Sequence, residues 1–189
     1  MATVPNLVSC LRLLLIPVLI ALAKAGHSQA FFWLLVSSLA TDALDGLLAR
    51  KLNQITELGS KLDSWADFTT YLSLPLCAWW LRPEVLRAEA PFLVAAMLFY
   101  LAAVSFGFVK FHRLTSYHTW LSKSLAILAG GVVLVLFAGG PGWPLRVLAP
   151  IVMVSCVEEM VITALLPRWR ANVPSVFHAL RLKRELVER

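Results

Sequence analysis

The chain between residues 42 and 67 reads Asp42-Ala-Leu-Asp45-Gly46-Leu-Leu-Ala49-Arg50, then eight residues, then Gly59-Ser-Lys-Leu-Asp63-Ser-Trp-Ala-Asp67. Four of these residues are aspartates, although the 189-residue chain has only 11 acidic residues. Asp42 and Asp45 are three residues apart, and Asp63 and Asp67 are four apart, so each pair shares one face of a helix. Two neighbouring helices could therefore direct all four carboxylates to one point.

The rest of the chain is unusually apolar. It is 59% hydrophobic and 15% charged, with a mean hydropathy of +0.76, whereas a soluble domain has about 45–50% apolar and about 25% charged residues. Because one core cannot bury this excess, lipid is the predicted solvent for much of the surface. The net charge of +6 fits an anionic membrane surface. No basic stripe with interleaved aromatic residues is present, so a nucleic-acid partner is not expected.

Six stretches approach the roughly 20 apolar residues that a membrane-spanning helix needs. They are 7–25, 30–48, 62–81, 90–111, 120–138 and 144–166. A basic, amphipathic segment at about 168–189 is predicted to be a helix on the membrane surface. The fold class is therefore all-α, a polytopic membrane bundle of six transmembrane helices with a short amphipathic C-terminal helix. No repeat is visible, so residues 1–189 are predicted to form a single domain.

The basic residues predict the orientation. With six spans, four cations (Lys24, Arg82, Arg87 and Arg146) fall on one side and the other thirteen of the 17 on the opposite side. By the positive-inside rule, both termini and the aspartates face the cytoplasm. The N-terminus does not resemble a cleaved signal peptide. The absence of that feature and the small size suit a bacterial inner membrane.

The aspartates predict a metal site at the membrane boundary. One charge at the centre of a membrane helix costs about 2.5–3.5 kcal/mol, and four converging carboxylates repel one another unless cations lie between them. Hard oxygen ligands suit Mg²⁺, Mn²⁺ or Ca²⁺. Alternatively, these are separate helix-end acids, with Asp63 and Asp67 stabilised by a helix dipole. Gly46 and Ala49 would admit a bulky group, or serve only for helix packing.

Residues 42–67 match the pattern D-x2-D-G-x2-A-R-x8-G-x3-D-x3-D at every fixed position. This pattern is similar to the signature of the CDP-alcohol phosphotransferase family, and the six-span layout is similar over nearly the whole chain. Phe68 stands where many members have Lys, which puts one local contact in doubt. The resemblance implies an enzyme of phospholipid biosynthesis, which moves a phosphatidyl group from CDP-diacylglycerol to an alcohol and releases CMP.

The resemblance also implies roles for particular residues. Asp42, Asp45, Asp63 and Asp67 would hold a two-metal Mg²⁺ or Mn²⁺ centre, and Asp67 would be the general base. The nucleotide would be bound by a set of small and polar residues, namely Gly46, Ala49, Arg50, Gly59, Asn6 and Ser9. CDP-diacylglycerol, the alcohol acceptor and membrane lipid are the expected partners. The resemblance is compatible with a homodimer, which no feature of the sequence tests.

The acceptor is less well defined. Arg113 and Lys123 could bind an acceptor phosphate, or could be cations that only anchor the chain at the membrane surface. Glycerol 3-phosphate is the preferred acceptor, with inositol phosphate, serine, choline and phosphatidylglycerol as alternatives. Glu158 and Glu159 lie in an apolar span, so at least one is expected to face the interior. A divalent-cation transporter is the alternative from another class, although its acids would be expected nearer mid-bilayer.

Overall fold

The structure is a computed structural model that describes the backbone of residues 4–51, 57–115, 117, 119–170 and 173–187. Within these ranges, the side chains of residues 4–9, 42–51, 57–61, 63–64, 183 and 185–187 lie outside the description. Every regular element in the described ranges is an α-helix, which confirms the all-α prediction. In lipid, a helix satisfies its backbone hydrogen bonds internally, and this favours helices in so apolar a chain.

The described residues form α1 (Val4–Lys24), α2 (Ser28–Lys51), α3 (Glu57–Leu81), α4 (Pro83–Ala88), α5 (Ala90–Phe111), α6 (Trp120–Phe137), α7 (Pro144–Leu165) and α8 (Val176–Val187). All except α4 and α8 match the six predicted stretches, and α5 has the predicted bounds. The short helix α4 is not predicted. It begins at Pro83, whose fixed φ suits the first position of a helix.

The C-terminal helix begins later than the sequence analysis predicts. Its start was expected near residue 168, but α8 begins at Val176. Pro174 explains the difference, because proline lacks the N–H that a helix interior needs and disfavours helical geometry in the residue before it. The Pro174 carbonyl instead accepts a hydrogen bond of 3.1 Å from the backbone N–H of Trp120, at the start of α6.

Three helices of the described chain are long and apolar enough to cross a membrane. They are α5 with 22 residues, α6 with 18 and α7 with 22, and a shorter apolar segment covers Ser28–Thr41 in α2. The charged residues of the aspartate motif occupy the end of α2 and the start of α3. The described residues therefore show three of the predicted spans, and the total of six stays a prediction.

The contacts divide the chain into two compact units, and the first contains Met1–Ala88 with Val133–Pro141. In this unit α1 packs against both α2 and α3. The interior includes the fully buried side chains of Ala23, Phe31 and Leu35. The ring of Phe31 lies 4.6 Å from that of Phe137, measured between centroids.

Arg82 ties the start of α4 to the end of α6 in the same unit. Its guanidinium donates hydrogen bonds to the carbonyl of Leu136 and, at 3.0 Å, to that of Gly140. A cation is favourable beside the unsatisfied carbonyls of a helix C-terminus. Arg82 Nε also donates to Glu84 Oε1 at 2.7 Å, and this hydrogen bond lowers the pKa of the Glu84 carboxyl below its usual value.

The second unit contains Glu89–Val132 and Gly142–Arg189. In it α5 packs along α7, and α8 packs against α7. A bidentate ion pair joins the starts of α5 and α7: Arg146 Nε lies 2.8 Å from Glu89 Oε2, and Arg146 Nη2 lies 3.0 Å from Glu89 Oε1. Glu89 is almost completely buried, whereas Arg146 is exposed. The expectation that residues 1–189 form one domain stays a prediction.

Candidate active site

The backbone places the aspartate motif on two helices, as the sequence predicts. Asp42 and Asp45 lie in α2, and Asp63 and Asp67 lie in α3. Asp67 is the only motif aspartate whose side chain the structure describes. The remaining predicted metal and nucleotide residues lie outside the described side chains, namely Asn6, Ser9, Asp42, Asp45, Gly46, Ala49, Arg50, Gly59 and Asp63. Their roles stay predictions.

Asp67 is held by an arginine from another helix. Arg12 Nη1 in α1 donates a hydrogen bond of 3.0 Å to Asp67 Oδ1 in α3. The Arg12 side chain is only 7% exposed, whereas the Asp67 side chain is 41% exposed. A buried guanidinium in an apolar helix requires such a partner. The ion pair therefore restrains the Asp67 carboxylate, while part of the Asp67 side chain remains exposed.

The sequence analysis did not assign a role to Arg12. A signal was present, since Asn6, Ser9 and Arg12 follow one another at intervals of three, and residues so spaced lie along one side of a helix. A cation within an apolar helix is also rare enough to suggest a functional site. The partner of Arg12 could not be identified from the sequence, because 55 residues separate it from Asp67.

The donor chemistry of the motif suits a hard divalent cation. Its acidic members are all aspartates, whose carboxylate oxygens are typical ligands of Mg²⁺ and Mn²⁺. Among the side chains that the structure describes, no three His, Cys, Asp or Glu residues lie close enough together to hold a metal ion. Three of the four predicted metal ligands are outside that set, so the metal site remains a proposal.

The two predicted acceptor-binding cations lie in the second unit, and both side chains are exposed. The Arg113 guanidinium lies over the Trp169 ring at 5.5 Å, and the Lys123 ammonium lies over the Trp120 ring at 5.5 Å. A cation–π contact at an exposed site contributes about 0.5–1 kcal/mol. These contacts orient the two cations, and they suit either of the roles that the sequence leaves open.

Thr119 connects the start of α6 to the middle of α7. Its hydroxyl accepts a hydrogen bond from the Ser122 N–H at 3.0 Å, as an N-cap does, and donates one to Glu158 Oε2 at 3.0 Å. Thr119 is fully buried. The expectation that at least one of Glu158 and Glu159 faces the interior is met by Glu158, whose described hydrogen-bond partner is a hydroxyl rather than a cation.

Hydrogen bonds link the end of α5 and the segment between α5 and α6 to the end of α7. Lys110 Nζ donates hydrogen bonds to the carbonyls of Thr163 and Ala164 at 2.7 and 3.0 Å, where α7 presents its unsatisfied carbonyl groups. The Tyr117 hydroxyl and Thr163 Oγ1 are 2.8 Å apart. Burial raises the pKa of Tyr117 to about 12, and the Glu159 carboxylate acts in the same direction. These contacts hold the segment that carries Arg113.

The family model for CDP-alcohol phosphatidyltransferases matches residues 2–162, which include α1 to α6, the aspartate motif and most of α7. This chain belongs to the CDP-alcohol phosphatidyltransferase family. Family membership and the three apolar helices together make it an integral membrane protein.

Several curated proteins are similar to the chain. A probable phosphatidylglycerophosphate synthase of Mycobacterium tuberculosis is 30% identical over 175 residues, which are 86% of this chain and 78% of that protein. A putative cardiolipin synthase of Mycobacterium bovis is 33% identical over 96 residues, covering 47% and 46% of the two chains. A CDP-diacylglycerol–inositol 3-phosphatidyltransferase of Saccharomyces cerevisiae is 39% identical over 64 residues, covering 34% and 29%.

For the cardiolipin synthase, the chain spans about half the length of the relative that it matches. The names of the three relatives differ in the acceptor or product that they imply. No solved structure matches this chain.

Proposed function

We propose that this protein transfers a phosphatidyl group from CDP-diacylglycerol to a small alcohol and releases CMP. The observation that supports this best is the Asp67 carboxylate, which ends the family motif and is held by the buried Arg12 while part of it remains exposed. A carboxylate that an arginine holds and that is still 41% exposed suits a general base, which must be positioned yet reachable by its substrate.

In the proposed reaction, the acceptor hydroxyl oxygen attacks the phosphorus atom of the phosphatidyl group. A new phosphorus–oxygen bond forms, and the bond from that phosphorus to the bridging oxygen of the diphosphate breaks. CMP leaves with the electron pair of that bond, and Asp67 takes the hydroxyl proton. Arg12 acts as a positioning residue, because it holds Asp67 Oδ1 and so limits the rotation of the carboxylate.

The four aspartates are proposed to bind two Mg²⁺ or Mn²⁺ ions. When bound, such ions would neutralise charge on the diphosphate and on departing CMP. Asn6, Ser9, Arg50 and the small residues of the motif are proposed to surround the cytidine nucleotide. The helical placement of the motif supports these roles, since residues three and four apart on a helix share one face.

Glycerol 3-phosphate is the acceptor that we propose, which gives phosphatidylglycerol phosphate as the product. The relative that aligns with 86% of this chain is named a probable phosphatidylglycerophosphate synthase. Arg113 and Lys123 are proposed to bind the acceptor phosphate, since both are exposed cations in the same unit. A charge-assisted hydrogen bond to phosphate is about twice as strong as a neutral one.

The six-span arrangement, with both termini in the cytoplasm, belongs to the same proposal. It is supported by the distribution of the 17 basic residues and the rule that cytoplasmic loops carry most of them. Reporter fusions after residues 27, 55 and 189 would test it in a bacterial host. A periplasmic signal from the first and cytoplasmic signals from the other two are expected, and the reverse pattern would refute the orientation.

The reaction is tested by measuring CMP release from the purified protein in liposomes with CDP-diacylglycerol and Mg²⁺ or Mn²⁺. Glycerol 3-phosphate, inositol phosphate, serine, choline and phosphatidylglycerol are supplied separately, with Asp67→Asn as the matched inactive control. Release with glycerol 3-phosphate that a chelator abolishes would support the proposal. Release with another acceptor alone would keep the reaction and change the substrate, and no release with any acceptor would refute the activity.

A further inference from the structure

The C-terminal helix α8 lies outside residues 2–162, the part of the chain that the family model matches. One of its faces is occupied within its own unit. Ala179 is fully buried, and Val176 and Leu182 pack with it against a cluster that includes Tyr117 and Ile162. Because Ile162 lies in the last turn of α7, this face fixes α8 beside the end of a helix long enough to span the membrane.

The opposite face of α8 carries exposed apolar and basic side chains. Phe177 is 81% exposed and Leu180 is 39% exposed, and Arg181 and Arg184 are exposed as well. At 100° per residue these four positions fall on one side of the helix, away from Ala179 and Leu182. An aromatic residue and a leucine flanked by arginines are typical of a helix that lies in the interface of a bilayer.

Charge and position favour anionic lipid as the occupant of this face. The ends of α5 and α7 and the start of α6, in the same unit as α8, carry further exposed cations, namely Lys110, Arg113, Lys123, Arg168 and Arg170. The end of an apolar helix of membrane-spanning length lies near the lipid headgroups. At that depth, each Lys or Arg gains about 1 kcal/mol from a negatively charged leaflet.

We propose that α8 is an anionic-lipid anchor, in which Phe177 and Leu180 insert below the headgroups while Arg181 and Arg184 pair with lipid phosphates. Through its packed face, the lipid-bound α8 would then hold Tyr117 and the end of α7 near the membrane surface. The anchor does not depend on the proposed reaction, so it can be tested with protein in the absence of substrate.

The insertion is tested with a nitroxide label at Phe177→Cys and, as a matched control, at the adjacent His178→Cys. The parent carries Cys10→Ser, because Cys10 is exposed whereas Cys77 and Cys156 are buried. In vesicles of equal parts phosphatidylcholine and phosphatidylglycerol, we expect the label at position 177 to collide with oxygen and to be shielded from a water-soluble nickel chelate. The label at position 178 should show the reverse.

The charge contribution is tested by adding Arg181→Gln and Arg184→Gln together. At about 1 kcal/mol per charge, the equilibrium constant for the inserted state should fall about 30-fold in the anionic vesicles. The loss should be much smaller in phosphatidylcholine alone, and high salt should reproduce it. Hydrogen exchange of α8 in the unmodified protein gives a second measurement, with slower exchange expected in anionic vesicles.

Any of three outcomes would overturn the anchor. Equal access of the nickel chelate to positions 177 and 178 in anionic vesicles would show that Phe177 is not inserted. Dipolar broadening between labels at position 177 in both kinds of vesicle would show that a second copy of the chain covers this face instead. Equal hydrogen exchange of α8 in both kinds of vesicle would overturn it without any substitution.

Discussion

Arg12→Ala removes the guanidinium that holds Asp67, and its effect follows from two opposing terms. Relieving the burial of the Arg12 charge is favourable by at most about 2.5–3.5 kcal/mol, which is the cost of a charge at the centre of a membrane helix on insertion scales. Losing a hydrogen bond between charged groups is unfavourable by about 1.5–3 kcal/mol. Since the Asp67 side chain is 41% exposed, water partly solvates the carboxylate left behind, so the lower end of this range applies. The two terms therefore oppose each other, and the net change in the stability of the single variant should not exceed about 2 kcal/mol.

A double-mutant cycle separates the two terms. The free energy of unfolding in detergent is measured for the parent, Arg12→Ala, Asp67→Ala and the double variant. Because the cost of burying each group cancels in the cycle, we expect a coupling of about 1.5 kcal/mol between the two residues. Arg87→Ala, which removes an exposed cation on α4, should show no coupling to Asp67→Ala and serves as the control.

The same substitution should impair turnover far more than stability. A displacement of about 1 Å in a catalytic group can reduce the rate about 100-fold, so Arg12→Ala is expected to reduce CMP release by about that factor. Arg12→Lys should recover part of the loss, because a lysine ammonium can replace the contact of 3.0 Å that Arg12 Nη1 makes with Asp67 Oδ1. The positioning role would be refuted if the unfolding free-energy changes of Arg12→Ala and Asp67→Ala add up to that of the double variant within about 0.5 kcal/mol and Arg12→Ala keeps parental turnover.

Asp67→Asn should abolish CMP release while metal-dependent protection by CDP persists, because the other three aspartates remain; near-parental turnover would exclude Asp67 as the base. Arg113→Ala or Lys123→Ala should raise the KM for glycerol 3-phosphate about 10-fold or more if the cation binds the acceptor phosphate, and an unchanged KM would leave only the anchoring role. In the pair that joins α5 to α7, Arg146→Ala should lower the unfolding temperature in detergent more than Glu89→Gln does. The first variant leaves a buried carboxylate unpaired, whereas the second leaves an exposed guanidinium in water; the opposite order would contradict this account.

Much of the helical architecture follows from the sequence. Long apolar runs predicted α5, α6 and α7 closely, because in lipid a helix makes all of its backbone hydrogen bonds within its own segment. The predicted start of α8, near residue 168, was wrong. The basic, amphipathic composition extends to the N-terminal side of Pro174, but the helix itself begins only at Val176. The short helix α4 was missed, because its six residues are too few to show a periodic pattern.

The candidate site was predictable in part. The residue types and spacing of the motif indicated the family, and the family model matches residues 2–162. The contact of Arg12 with Asp67 could not be read from the sequence, although a cation within an apolar helix was a signal. Lys110 was likewise counted only for its charge, although it caps the carbonyls at the end of α7. Both roles depend on which helices pack together, and a linear sequence does not specify that packing.

The sequence by itself determined the class of protein and the positions of the main helices, and it predicts the chemistry of the aspartate motif. These properties are local: hydropathy selects helix in lipid, and spacings of three and four residues select one helix face. Only the tertiary structure decided that Arg12 of α1 meets Asp67 of α3 and that Glu158 accepts a hydrogen bond from the Thr119 hydroxyl. Such pairings join residues far apart in the chain, so they are fixed by the packing of helices against one another.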